Sequence, residues 1–199
     1  MCMEISFYAK NKQLKQMPLS IQLANLLPSA RVVASSNSVT GETRVAVPAT
    51  HLLQTLTLLR RHTGREFSQL RAITAIDNPE RNRRFEVVYL LLSPSTGQRL
   101  AVSVHVSEGT PLPSATSVYS SAGWYERETW DRFGILFTGH PDLRRRLTDY
   151  GFKGHPLRKD FPVTGYVEVR YDDVRKRILY EGVSLAQEFR LFTLDQPWS

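Results

Sequence analysis

Residues 85–106 read FEVVYLLLSPSTGQRLAVSVHV, and this stretch decides the fold. Its first eight residues are apolar on both faces except at Glu86, which reads as a strand. Leu100, Val102, Val104 and Val106 then point one way and Ala101, Ser103 and His105 the other, the period-two pattern of a second strand. Pro94, Ser95, Thr96 and Gly97 lie between them and are turn residues, so the two runs form an antiparallel hairpin.

Outward from the hairpin, residues 70–76 predict a further strand, and Thr43, Val45 and Val47 alternate like another. Pro48 opens a segment in which Leu52, Leu56 and Leu59 recur at helical spacing, with Gly64 as its stop. A helix on one face of such a sheet makes an α+β sandwich over residues 39–134. Ser120 or Ser121 caps a second helix through residues 125–133, whose apolar side carries Trp130, Phe133 and, beyond Gly134, Phe137. Arg127 with Asp131 and Glu128 with Arg132 are opposite charges four residues apart, and the nearby tryptophans predict that some of these charges are covered.

Residues 1–38 form an unassigned N-terminal arm: 1–18 faintly resemble a transit peptide without its arginines, and 21–27 read as a brief helix or attached arm closed by Pro28. Residues 135–199 form an extended interaction segment. Within it, His140, Pro141 and Asp142 predict a short helix with Leu143, Leu147 and Tyr150 facing inward and Gly151 ending it. Residues 166–171 alternate as a strand, with a partner at 178–180. Ser184 and Gln187 have capping-box spacing for a last short helix before Phe189, Phe192 and Trp198. Too few apolar residues remain here for a second core, so this third of the chain must dock on something.

Composition excludes several functions. With 41% hydrophobic and 23% charged residues the chain is a folded protein. Its longest apolar run, residues 87–92, is far short of the roughly 20 residues of a membrane-spanning helix. A single cysteine, Cys2, allows neither an internal disulfide nor a cysteine-held cluster. A net charge of +7 favours an anionic partner without choosing one.

Independent chemistry is not expected either. Glu126 and Glu128 lie two apart on a helix and point away from each other, so they cannot share a substrate. His140 and His155 each precede proline and have no second ligand four residues away. No hydrolase elbow, P-loop or dinucleotide fingerprint occurs. Gly151-Phe152-Lys153-Gly154 has the GxxG form of a KH domain, which supports a rival reading as a basic RNA-binding or ribosomal module. That reading needs the loop to join two helices.

Three blocks, WYERETWDRFGI, HPDLRRRLTDYGF and GHPLRKDFPVTGYVEVRYDD, closely resemble the thirty-kilodalton subunit family of respiratory complex I, the NADH:quinone oxidoreductase. The likeness is dense from Ser121 to about Trp198 and looser over residues 43–106. The family pattern falls on Trp124, Glu126, Arg127, Glu128, Trp130, Asp131, Phe133 and Gly134, then on His140, Pro141, Asp142, Leu143 and Arg144, and finally on residues 149–162 with His155, Arg158, Lys159 and Asp160.

The resemblance implies helices on a mainly antiparallel sheet, followed by a C-terminal segment docked on the forty-nine-kilodalton, quinone-site subunit. The charged and aromatic residues of the pattern are then its interface, and Ala at Arg127, Arg158 or Asp160 costs about 3–5 kcal/mol if the charge is enclosed there. It further implies a core subunit of the peripheral arm, with other arm subunits as neighbours, no nucleic acid, and no flavin, cluster or metal of its own. FMN and iron–sulfur clusters sit elsewhere in such a complex. The expected location is the matrix side of the mitochondrial inner membrane or, alternatively, the cytoplasmic face of a bacterial membrane, held through the complex alone.

Overall fold

The computed structural model describes residues 35–36, 43–62, 64 and 66–190. Its main sheet contains β1 (Ser35–Ser36), β2 (Thr43–Ala46), β3 (Gln69–Asp77), β4 (Phe85–Leu92) and β5 (Arg99–Val106) in the order β1-β2-β5-β4-β3. The β5-β4-β3 part is an antiparallel meander, β1 is antiparallel to β2, and only the β2–β5 pair is parallel. The hairpin read from the sequence is β4–β5, with Val87 beside Val104 and Tyr89 beside Val102. Its turn closes through bonds from Ser93 N–H to the Gln98 carbonyl and from Gly97 N–H to the Ser93 carbonyl.

Helix α1 (Leu52–Arg61) forms where the leucine spacing put it: Leu52, Leu56 and Leu59 are buried, and Arg60 and Arg61 lie at its negative end. It ends at Arg61, short of Gly64, because His62 turns extended. Phe67 N–H then returns to the Leu59 carbonyl, and the buried Tyr119 hydroxyl donates to the Phe67 carbonyl. Helix α2 (Ala122–Phe133) packs on β3 and ends at Gly134, whose left-handed backbone (φ 77°) lets its N–H reach the Trp130 carbonyl. Ser121 holds the cap position but makes no side-chain cap bond. Two short strands, β6 (Leu112–Pro113) and β7 (Phe137–Thr138), pair in parallel and bracket this helix. One core unites the leucines of α1 with Phe85, Val87, Tyr89, Leu91, Val102 and Val104 of the sheet and with Ala122, Phe133, Ile135 and Phe137.

The last regular elements are β8 (Val167–Asp172) and β9 (Arg177–Gly182), an antiparallel hairpin as the alternation predicted. The helix expected from residue 140 is absent; residues 139–166 run through turns and bends. Its physical cause is Asp131, whose carboxylate takes the N–H groups of Arg146, Leu147 and Thr148, while the Arg127 guanidinium takes the carbonyls of Arg144 and Arg145. Of the inward stripe expected there, Leu143 packs on the core, but Leu147 is half exposed and Tyr150 almost fully so. The short helix expected after Ser184 does not form among the described residues, where Leu185 and Phe189 stay exposed with no core to pack on. The readings on residues 1–34, Phe192 and Trp198 lie outside the described residues.

Candidate subunit interface

Helix α2 is the platform from which the C-terminal segment is held. The last four carbonyls of any helix lack internal partners. Here Gly134 N–H takes that of Trp130, His155 Nδ1–H that of Asp131, Leu157 N–H that of Arg132, and Arg158 Nε–H that of Phe133 at 2.6 Å. Residues 155–158 thus cap α2 from outside. Gly134 must be glycine: an added Cβ would stand 2.6 Å from Arg158 Nη2 and 2.7 Å from the His155 ring, at a φ that disfavours side chains. Gly134→Ala is expected to cost about 1–2 kcal/mol from the backbone alone and more from pushing Arg158 aside. A urea midpoint within error of the parent would refute this.

Asp131 is fully buried. Its Oδ2 accepts the three N–H groups of residues 146–148, and its Oδ1 accepts from the Thr148 hydroxyl (2.6 Å) and Arg145 Nη1 (2.9 Å). Burial alone would raise its pKa, but the Thr148, Leu147 and Arg145 bonds outweigh it and hold the carboxyl well below the usual range. The expected Arg127–Asp131 pair is therefore replaced by Asp131–Arg145, whereas Glu128 does pair with Arg132 at 3.2 Å and also with Arg146 at 3.1 Å. Arg127 and Arg146 lie over the two-ring system of Trp124, 4.9 and 5.2 Å from its centroid, and leave that side chain more than half exposed. Arg145 stacks on Trp130, which meets the His155 ring edge-on. Phe152, Phe161 and Tyr166 continue as a chain of ring contacts.

Glu126 points the opposite way from Glu128, into the body. Its carboxylate accepts from Ser114 Oγ and Ala115 N–H, both at 2.6 Å. His140 Nδ1 accepts from Asp142 N–H, so Nε2 carries the proton, donates to the Gly123 carbonyl and stands 3.9 Å from Glu126. Burial pushes the Glu126 carboxyl above its usual range, against the pull of Ser114, Ala115 and His140. Burial first and the Glu126 charge second push the Tyr89 phenol up as well, and its hydroxyl finds no partner among the described residues.

A raised carboxylate pKa in the native state means that the folded chain holds more protons than the unfolded one above about pH 4.3, so stability falls as pH rises through that window. Glu126→Gln keeps an acceptor for Ala115 and a donor for Ser114 without the charge. It is expected to raise the thermal midpoint at pH 7–8, with the gain vanishing toward pH 4. Glu126→Ala, which orphans both donors, should lose about 1–3 kcal/mol. A pH-independent effect of the Gln variant would contradict this account.

A second clasp joins the segment to the sheet. Arg84 binds Asp77 through two bonds (2.6 and 2.8 Å) and reaches Asp160 at 3.1 Å, and Asp77 also accepts Lys159 N–H. Asp77 is buried; its bonds to Arg84 outweigh desolvation and lower its pKa. Arg158 pairs with Glu108 at 2.6 Å and, like Arg84, lies over the Phe85 ring. Asp160 is mostly exposed, so its removal is worth about 1 kcal/mol or less, not the cost of an enclosed charge. Asp142 and Arg144 pair with each other at 2.9 Å on the surface. The residues of the family pattern therefore come together, mostly by fastening the segment to its own body.

Sequence reasoning missed Asp77, Arg84, Ser114, Arg145 and Thr148. Asp77 had a signal, since it follows Ile73 and Ala75 in the core-facing register of β3. It also missed the face of the β8–β9 hairpin. Register puts Val169 beside Tyr180 and Tyr171 beside Ile178, with Val167 completing the row, and each is at least half exposed. The opposite face carries Glu168, Arg170, Asp172, Arg177 and Glu181 around a single apolar residue, the partly buried Leu179. The GxxG loop at residues 151–154 lies among turns with no helix on either side, so the KH geometry is not present.

Fold and site together describe an α+β body that holds a long segment whose β8–β9 hairpin leaves an apolar row half exposed among the described residues, a form suited to a subunit in a larger particle. The chain belongs to the family of the respiratory-chain NADH dehydrogenase 30 Kd subunit, whose model matches residues 45–167. It is 54% identical over 179 residues to the C subunit of NADH-quinone oxidoreductase from Rhizobium johnstonii, covering 89% of this chain and 90% of that protein. NADH-ubiquinone oxidoreductase subunit 9 of Reclinomonas americana is 52% identical over 158 residues, covering 79% and 78%. Among solved structures, a chain of the membrane-bound sulfane sulfur reductase, an archaeal respiratory membrane complex, matches with a TM-score of 0.60 and 25% identity, covering 71% of this chain and 82% of that one.

Proposed function

We propose that this chain is a structural subunit of the peripheral arm of NADH-quinone oxidoreductase, with no reaction of its own. The observation that carries the reading is the apolar face of β8–β9, at least half exposed along its row, which follows a segment fastened by Asp131, Asp77 and the cap on α2. A two-stranded hairpin is marginal by itself in water, so a partner completes it. The forty-nine-kilodalton, quinone-site subunit is that partner. In this role the chain binds no flavin, cluster or quinone, and keeps the quinone-reducing module in register with the clusters that deliver electrons.

Relatives come from bacteria and mitochondria, and among the described residues no helix is long and apolar enough to cross a membrane. The chain accordingly meets the membrane through the complex, on the matrix side or on the bacterial cytoplasmic face. The test is to isolate the particle that carries a tagged chain, and to measure incorporation and NADH–quinone activity per assembled complex for Arg127→Ala and Arg158→Ala. Less assembled complex of unchanged specific activity is expected. Normal assembly with lost activity would indicate a direct part in the reaction.

A further inference from the structure

Helix α2 carries two fully buried carboxylates, Glu126 and Asp131, and they are provided for very differently. Asp131 meets an arginine, a hydroxyl and three N–H groups. Glu126 meets one hydroxyl and one N–H, and no cation among the described residues is bonded to it. Two titratable groups face it, Tyr89 from β4 and His140 from the residues after β7. The Tyr89 phenol is uncharged, and His140 stands 3.9 Å away with its Nε2–H committed to the Gly123 carbonyl at 3.1 Å. A carboxylate enclosed without a compensating charge takes up a proton instead.

The hydrogen bonds around Glu126 also supply a path for that proton. Glu126 Oε2 lies 2.6 Å from Ser114 Oγ, and Ser114 Oγ lies 2.8 Å from Thr116 Oγ1. Ser114 is buried and Thr116 is partly exposed, so this line of three oxygens runs from the interior to the surface. We propose that Glu126 is a proton-binding site of this chain, filled from solvent through the Thr116 and Ser114 hydroxyls. With the carboxylate ionised, Ser114 donates to Oε2 and Thr116 donates to Ser114. A proton arriving at Thr116 Oγ1 passes the Thr116 proton to Ser114 and the Ser114 proton to Glu126. Each hydroxyl ends with one proton, both O–H bonds are reversed, and Oε2–H now donates to Ser114. No hydrogen bond of the chain is lost, and the bonds from Ala115 N–H to Oε1 and from Thr116 N–H to Ser114 Oγ serve both states. The two titratable neighbours offer no second route, since Tyr89 is fully enclosed and the His140 side chain is 2% exposed and beyond bonding distance. Loading the site removes the negative charge that faces His140, near the start of the fastened segment. This inference does not rest on the assembly reading.

The test is carbon NMR of the full-length chain, isotope-labelled at the glutamate carboxyl carbons, with the Glu126 signal identified as the one lost in Glu126→Gln. That signal should pass from its acid to its ionised position well above about pH 4.3, the ordinary glutamate value, and at the midpoint the two forms should give one averaged signal. In Thr116→Val exchange should slow roughly tenfold or more, because the proton then enters only by local opening. The averaged signal should accordingly broaden or split in two, and Thr116→Ser should restore it. A Glu126 signal that stays ionised down to about pH 4 would overturn the proton-binding site. An unchanged line shape in folded Thr116→Val, or slowing by His140→Gln in its place, would overturn the route. Should Thr116→Val fail to fold, the parent decides, since separate acid and ionised signals at its midpoint would mean that no open path exists.

Discussion

Asp131→Ala is expected to destabilise the chain by about 3–5 kcal/mol, the cost of breaking a buried ion pair from one side. The effect is large because one carboxylate serves five donors. Its loss leaves Arg145 uncompensated and three N–H groups of residues 146–148 without an acceptor. Arg145 also donates to the Gly154 carbonyl and stacks on Trp130, so residues 145–154 should come away from α2 together. Asp131→Asn retains one acceptor oxygen and should fall between the two. Urea unfolding and hydrogen exchange at residues 146–148 measure this directly. A loss below about 1 kcal/mol with protection retained there would mean that backbone turns, not the carboxylate, define the loop.

The same site fixes the acid limit of the fold. Asp131 and Asp77 both have lowered pKa values, so their contribution is complete above the ordinary unfolded value near 3.9 and is lost as pH falls through their native values. Glu126 has the opposite sign and gives a little stability back as it protonates. Acid unfolding should therefore begin below about pH 4, and Asp131→Asn should flatten that limb of the profile.

The strands were legible because burial acts at every second residue. Val102 and Val104 face the core while Ala101 and His105 do not, and the apolar residues keep that period even though Ser103 on the other face is also buried. Helix α1 was legible for the same reason at its own period. Residues 140–150 misled because proline, acid and arginine sit where a free helix would want them, while the acceptor that rules the helix out is Asp131, about fifteen residues upstream. Local pattern carries no record of such a contact. Asp77 to Lys159 is more distant still, 82 positions apart. The site was readable as a set of residues, through its likeness to a family, but not as a set of partners. Glu126 and Glu128 show the difference, since helical geometry separated them correctly and yet gave no hint that Ser114 and Ala115 would receive the first.

Val169→Asp with Ile178→Asp on the hairpin is expected to abolish assembly while leaving the isolated chain folded. Both side chains are at least half exposed, so in the free chain the exchange removes little buried area and should shift stability by about 0.5 kcal/mol or less at each position. On the proposed docking the same positions are covered in the assembled particle, and each carboxylate then lies in an apolar contact without a partner, at a cost of several kcal/mol. Two such penalties weaken association by at least about a thousandfold, since every 1.4 kcal/mol is a factor of ten. Arg170→Ala, on the polar face of the same strand, is the control and should assemble normally. The comparison separates a folding defect from a docking defect, because the two faces share one hairpin and one backbone. If the double-Asp chain enters the complex as readily as the parent, the apolar row faces water in the particle, and the segment must reach its partner through Trp124 and the arginines around it instead.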